Sequence, residues 1–167
     1  IGIDDAGRGP VLGPMVLAGV LIEEEEEEII GSWGAKDSKL LTPKKRFEIK
    51  EKVIEKFEHF IVTSKPIEID ESSNLNYLEA IKTSMIINHL MEPLNEKVRV
   101  IVDCPSVNIE AWSEDVFKLV EKKDLVDLFC EHKADYNHKI VSAASILAKE
   151  KREAELVLEA IKLAGRP

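Results

Sequence analysis

The sequence predicts an α/β layered domain built around a mixed sheet of about five strands. Three observations predict it. Short apolar runs of strand length recur along the chain, and segments with apolar residues at helical spacing lie between most of them. The first two runs follow each other after a short Gly- and Pro-containing connection. That favours an antiparallel hairpin, and hence a mixed rather than a fully parallel sheet.

Each element can be justified in order. Ile1 to Asp5 reads as a short buried strand, and Gly7, Gly9 and Pro10 break it into a loop. Pro14 to Ile22 is a Val/Leu/Ile run long enough for a second strand. The run Glu23 to Glu28 is a solvated charge run at a strand end or a helix start. Thr42 as N-cap with Pro43 at the first helical position starts a helix to about Phe57, with Phe47, Ile54 and Phe57 on one face. His59 to Thr63 is a strand. A helix over Asn76 to Met91 places Leu78, Ile81 and Met85 together. Val98 to Val102 is a compact strand that ends in Asp103. Ala111 to Glu121 is helical, and Leu125 to Cys130 is a strand. The last helix is expected from near Ser142 to about Leu163, with Ala154, Val157, Leu158 and Ile161 turned inward.

With 167 residues the chain fits one domain. No internal repeat, interdomain linker or apolar run approaching the roughly 20 residues of a membrane span is present. Cys104 and Cys130 lack the spacing of a zinc site and read as buried reduced thiols, which points to a reducing cytoplasm. The net charge of −9 argues against a wide basic surface for nucleic acid. It leaves room for a nuclease, because clustered carboxylates hold cations and those cations face the phosphate.

The carboxylates carry the chemistry. Asp4 and Asp5 are adjacent in an otherwise apolar strand, so their side chains start toward opposite faces, and both reach one site only where the strand ends or bends. A carboxylate in such a strand is costly unless it is paired or binds a metal. Asp103 closes another apolar strand, and Asp135 lies just before the last helix. Alone, Asp135 reads as a loop or cap aspartate. Four hard oxygen donors at strand and helix ends suit Mg²⁺ or Mn²⁺, and two such ions could activate a water and stabilise the leaving oxygen of a phosphodiester. Spacing alone does not establish that the four converge.

The segment Gly2 to Pro14 resembles the signature of the ribonuclease HII family, which reads Asp-Glu-Ala-Gly-Arg-Gly-Pro here. Further blocks match in order: Lys36-Asp37-Ser38-Lys39, then Asn74-Leu75-Asn76-Tyr77-Leu78-Glu79, then His132-Lys133-Ala134-Asp135, then Val141-Ser142-Ala143-Ala144-Ser145-Ile146-Leu147-Ala148-Lys149. The resemblance covers essentially the whole chain and is strongest to archaeal members. It implies a ribonuclease H-like fold, a five-stranded mixed sheet flanked by helices. It implies hydrolysis of the RNA strand of RNA–DNA hybrids and incision at ribonucleotides embedded in DNA, leaving 3′-hydroxyl and 5′-phosphate ends. The expected partners are such duplexes, with no membrane, and the protein is expected to be a monomer. By motif position, Asp4, Asp5, Asp103 and Asp135 are the catalytic and metal-binding acids for a two-ion Mg²⁺ or Mn²⁺ site. Gly7, Arg8 and Gly9 match the loop that senses the ribose 2′-hydroxyl, with Arg8 able to reach a phosphate through two donors. Ser38 and Lys39 would bind backbone phosphate, although Lys39 reads equally well as a surface lysine.

Two departures bear on activity. Asp5 stands where the family carries Glu, and the shorter side chain is expected to lower the rate of a metal-dependent reaction. The chain reads as one ribonuclease H-like domain over residues 1–167, ending at Gly165-Arg166-Pro167 before the family's usual Gly-x-Gly-Tyr-Pro segment and helical region. A catalytically weakened or inactive nucleic-acid-binding form of the same fold is the alternative. A third reading is a stability-only core of the fold. His132 and His138 flank Asp135 and read as loop or surface histidines.

Overall fold

Alternation of apolar residues decides which face of each strand meets which helix. The computed structural model describes residues 1–9, 12–35 and 38–166, without the Ser38 side chain. The expectations for Pro10 and for Lys36-Asp37 therefore fall outside the described residues. The elements are β1 Gly2–Ala6, β2 Met15–Leu21, α1 Glu27–Ser32, α2 Pro43–Lys56, β3 Glu58–Ser64, α3 Pro66–Glu71, α4 Leu75–Met91, β4 Val98–Asp103, α5 Ile109–Lys118, β5 Val126–Glu131, α6 Ala134–Asn137 and α7 Lys139–Ala164. The five strands form one sheet in the order β3-β2-β1-β4-β5. β1 and β2 pair antiparallel, as do β2 and β3, while β1 with β4 and β4 with β5 are parallel. The mixed sheet and the opening hairpin are those the sequence predicts.

β2 shows the two faces clearly. Val16, Ala18 and Val20 join a core with Ile49 and Val53 of α2 and the first half of α7. Met15 and Leu17 join the opposite core with Ile86, Ile87 and Leu90 of α4 and Trp112 and Val116 of α5. The sheet is thus buried on both sides, which is why its strands read as nearly continuous apolar runs. α7 lies directly on β1. A Cβ added at Gly2 would sit 2.7 Å from the Ile140 backbone carbon, so only glycine permits this approach.

The expected inward faces of three helices need correction. In α2, Phe47 and Ile54 are exposed, and the buried residues are Ile49 and Val53, with Phe57 at the cap. In α4, Met85 is exposed and Leu78 and Ile81 are only half-buried; the buried set includes Glu79, Ala80, Thr83, Ile86, Ile87, Leu90 and Met91. α7 starts at Lys139 rather than Ser142, and its buried residues run from Ile140 to Ala148. Ala154, Val157, Leu158 and Ile161 are exposed. Among the described residues, no helix is long and apolar enough to cross a membrane.

Candidate metal centre

β1 and β4 run parallel, and their ladder pairs Gly2 with Ile101 and Ile3 with Val102. Asp4, Asp5 and Asp103 lie just beyond that ladder, at the carboxyl ends of the two strands, where α/β sheets build their sites. One carboxylate oxygen from each of Asp4, Asp5 and Asp103 lies within 4.8 Å of the other two. Asp4 and Asp5 are both paired inside β1, opposite Ala18 and Leu17 of β2, so the strand neither ends nor bends at them as the sequence requires; their carboxylates nonetheless converge with Asp103. Asp4 Oδ1 also accepts from the Asp5 N–H at 2.7 Å.

Burial, reinforced by this concentration of negative charge, raises all three acids. Burial, then the neighbouring charges of Asp5 and Asp103, raises the Asp4 carboxyl well above its ordinary value. Burial and the charge of Asp103 push Asp5 up to about 6, against the opposing Arg8. Burial likewise raises Asp103, while the N–H of Ala134 pulls it back down. Three hard oxygen donors that repel one another, with Asp4 buried and Asp5 and Asp103 half-buried, form the kind of donor set that Mg²⁺ or Mn²⁺ binds. The residues therefore fit a divalent cation.

Asp135 sits on α6, beyond β5, and is not among the three mutually close acids. Its charge nevertheless adds to the upward push on Asp4, Asp5 and Asp103. Its segment is tied to the cluster, because Asp103 Oδ1 accepts from the Ala134 N–H at 2.8 Å. Among the described residues, Lys133 is the one non-glycine with positive φ (φ 58°, ψ 36°), and it turns the chain immediately before that N–H.

Gly7 and Gly9 both have left-handed φ, at +89° and +113°, and a Cβ on Gly7 would meet the Pro14 carbonyl oxygen at 2.4 Å. Between them, Arg8 pairs with Glu79 and donates to Asn76 Oδ1, both on α4. Ser38 opens a 3₁₀ turn over Ser38–Leu40, but its side chain is outside the described residues. Lys39 in that turn is exposed, and its charge is felt at Lys149 of α7. His132 Nε2 donates to the Ser106 carbonyl at 2.7 Å, and His138 Nε2 lies 2.5 Å from Glu131 Oε1.

Three residues at the site carried no role in the sequence reading. Glu79 is buried, and burial with the charge of Asp5 pushes its carboxyl up to about 8. Lys149 is lowered by burial but drawn upward by the charges of Asp4 and Asp135. Arg152 donates from Nε to the Pro14 carbonyl at 3.0 Å and from Nη2 to the Leu12 carbonyl at 2.7 Å. Glu79 and Lys149 close two of the motif blocks, which was the available signal.

A family profile described as ribonuclease HII matches residues 1–165. A ribonuclease HII from Methanococcus maripaludis is 43% identical over 157 residues, covering 92% of this chain. The chain spans 64% of that relative's length. One from Methanocaldococcus jannaschii is 40% identical over 168 residues, with coverage of 92% and 71%. Among solved structures, the ribonuclease H2 of Pyrococcus horikoshii superposes with a TM-score of 0.85 at 35% identity, covering 98% of this chain and 76% of that one. The Archaeoglobus fulgidus RNase HII, solved as a complex with PCNA, gives 0.84 at 32% identity, with coverage of 97% and 75%. Matched over nearly its whole length by the family profile, by archaeal sequences and by archaeal structures, the chain belongs to the ribonuclease HII family.

Proposed function

We propose that this chain carries the catalytic centre of a divalent-metal-dependent endoribonuclease. It cleaves the RNA strand of RNA–DNA hybrids and incises DNA at embedded ribonucleotides, leaving 3′-hydroxyl and 5′-phosphate ends, and it works as a monomer. The observation that carries this reading is the convergence of Asp4, Asp5 and Asp103 in a chain of the ribonuclease HII family. Relatives named ribonuclease HII support the activity class.

Asp4, Asp5 and Asp103 would hold Mg²⁺ or Mn²⁺, with Asp135 completing a two-ion site. Bound there, such ions supply Lewis-acid stabilisation of phosphate charge and activation of a water. The chain's own residues supply the rest. Gly7 and Gly9 let the loop backbone approach a sugar closely, and the 2′-hydroxyl is what distinguishes RNA from DNA at a single nucleotide. Lys39 and Lys149 offer positive charge for the substrate backbone beside the acids, with Ser38 preceding Lys39 in the same turn. A local basic patch of this kind suits a chain whose net charge is −9.

The test is incubation with an RNA–DNA hybrid in Mg²⁺, in Mn²⁺ and with excess chelator. Cleavage in at least one metal and none with chelator is expected. Binding of the hybrid without cleavage in either metal would favour the non-catalytic alternative. Failure to bind at all would contradict both readings.

A further inference from the structure

Arg8 stands between the two glycines of the loop that follows β1, and its guanidinium is already engaged. Nη1 pairs with Glu79 Oε2 and Nη2 donates to Asn76 Oδ1, so both terminal nitrogens of the fork grip α4. Asn76 is in turn fixed to α5, since Trp112 Nε1 donates to its backbone carbonyl at 2.8 Å. Glu79 is 1% exposed, and its second oxygen, Oε1, is buried without a hydrogen-bond partner among the described residues. A cavity of about 10 Å³, close to the size of one water, is lined by Glu79 together with Asp4, Asp5 and Asp103. The far side of the loop is held from the opposite face of the sheet, where Arg152 of α7 donates to the carbonyls of Leu12 and Pro14.

A half-satisfied carboxylate in a helix core is a poor device for stability. A buried ion pair often does no better than apolar residues of similar volume. It does fix position, because breaking one partner leaves a buried charge behind. We propose that Glu79 is a positioning residue for the Gly7-Arg8-Gly9 loop: by anchoring Arg8 on α4 it holds the loop backbone beside the three converging aspartates and so governs substrate engagement rather than chemistry. Arg8 is then the loop's anchor, and contact with the nucleic acid falls to the loop's backbone. The proposal deepens the function given above and rests on it for the substrate. Its structural half, the clamping of the loop, stands independently.

The experiment compares the full chain with Glu79→Leu, Glu79→Gln, Arg8→Ala and the double variant Arg8→Ala/Glu79→Leu. Amide hydrogen exchange of residues 7–9 reports the clamp without substrate. Glu79→Leu and Arg8→Ala should each speed it by about tenfold or more, with the α7 core unchanged. On an RNA–DNA hybrid in Mn²⁺, KM should rise by about tenfold while kcat changes by less than about threefold. The double variant should be no worse than Arg8→Ala, because the two residues act as one unit. Glu79→Gln keeps an acceptor for Arg8 and should rescue most of the loss. Unchanged loop exchange in Arg8→Ala would overturn the proposal even if Glu79→Leu fails to fold. So would effects that multiply in the double variant, or a loss confined to kcat. If the parent chain cleaves no hybrid, the functional reading fails, and the exchange result alone still decides whether Glu79 clamps the loop.

Discussion

Asp103 accepts a hydrogen bond from the backbone N–H of Ala134 at 2.8 Å, which ties the end of β4 to the segment that carries Asp135. One oxygen of Asp103 thus serves the scaffold while the same carboxylate faces Asp4 and Asp5. An Asn at position 103 keeps the acceptor and removes the charge. The metal-free Asp103→Asn protein is therefore expected to be more stable than the parent by roughly 1–2 kcal/mol, through relief of like-charge repulsion. Asp103→Ala orphans the Ala134 N–H and should forfeit about 1 kcal/mol of that gain. Denaturant unfolding of the three proteins in chelator checks the order. A destabilised Asp103→Asn would contradict it.

Burial and like charge together set a pH dependence. Burial and neighbouring charges hold Asp4 and Asp103 above their ordinary values and push Asp5 up to about 6. Each acid binds its proton more tightly folded than unfolded. As pH rises from an unfolded value of about 4 through these folded values, the native state holds the extra protons, and stability falls. Metal-free protein should therefore lose roughly 5–10 °C of Tm between about pH 5 and pH 8. Added Mn²⁺ should restore more at the upper end, because the ion binds the ionised carboxylates. A metal-free Tm that is flat or rises over this range would refute the assignment.

The fold was largely legible because it rests on strands. Each predicted strand lies within a residue or two of an observed one, since an apolar run between breakers has few other readings. Helix faces were less legible. α2 offers two apolar stripes, Phe47/Ile54 and Ile49/Val53, and the contact with α7 and the sheet, not periodicity, selects the second. α7 has 26 residues and so runs about 39 Å, while a strand of β1's size covers only about 17 Å. Its first half therefore packs by small residues such as Ala143, Ala144 and Ala148, and the apolar stripe from Ala154 to Ile161 overhangs the sheet. At the site, Asp4, Asp5 and Asp103 stood out because acids are costly in apolar strands. Glu79 did not, because a glutamate in a helix ordinarily faces water.

Asp5 offers a gain-of-function test. The family signature that Gly2 to Pro14 resembles carries Glu at this position, and Asp5 lies in the cluster with a side chain one methylene shorter. Asp5→Glu should raise kcat on an RNA–DNA hybrid in Mg²⁺ by about tenfold, because a displacement near 1 Å is costly at a site demanding octahedral geometry. An unchanged or lower kcat would sink this reading of the substitution.

Gly2 tests the packing that brings α7 to the site. A Cβ there would meet the Ile140 backbone at 2.7 to 2.8 Å, so neither partner can yield by rotating a side chain. Gly2→Ala should cost about 3 kcal/mol or more. It should also weaken Mn²⁺ binding, because the clash falls two residues before Asp4. Thermal melts and calorimetric titration read the two effects, and a variant with parent-like Tm would contradict the close approach.

The most direct measurement is incision of a DNA duplex containing one ribonucleotide, with parent and Asp103→Asn compared in Mn²⁺ and the product ends mapped. The three-aspartate centre predicts a single cut beside the ribonucleotide with 3′-hydroxyl and 5′-phosphate ends. It also predicts a loss of at least about 1,000-fold in Asp103→Asn, in keeping with several kcal/mol of transition-state stabilisation supplied through the metal centre. Cleavage that survives Asp103→Asn at the parent rate would contradict it.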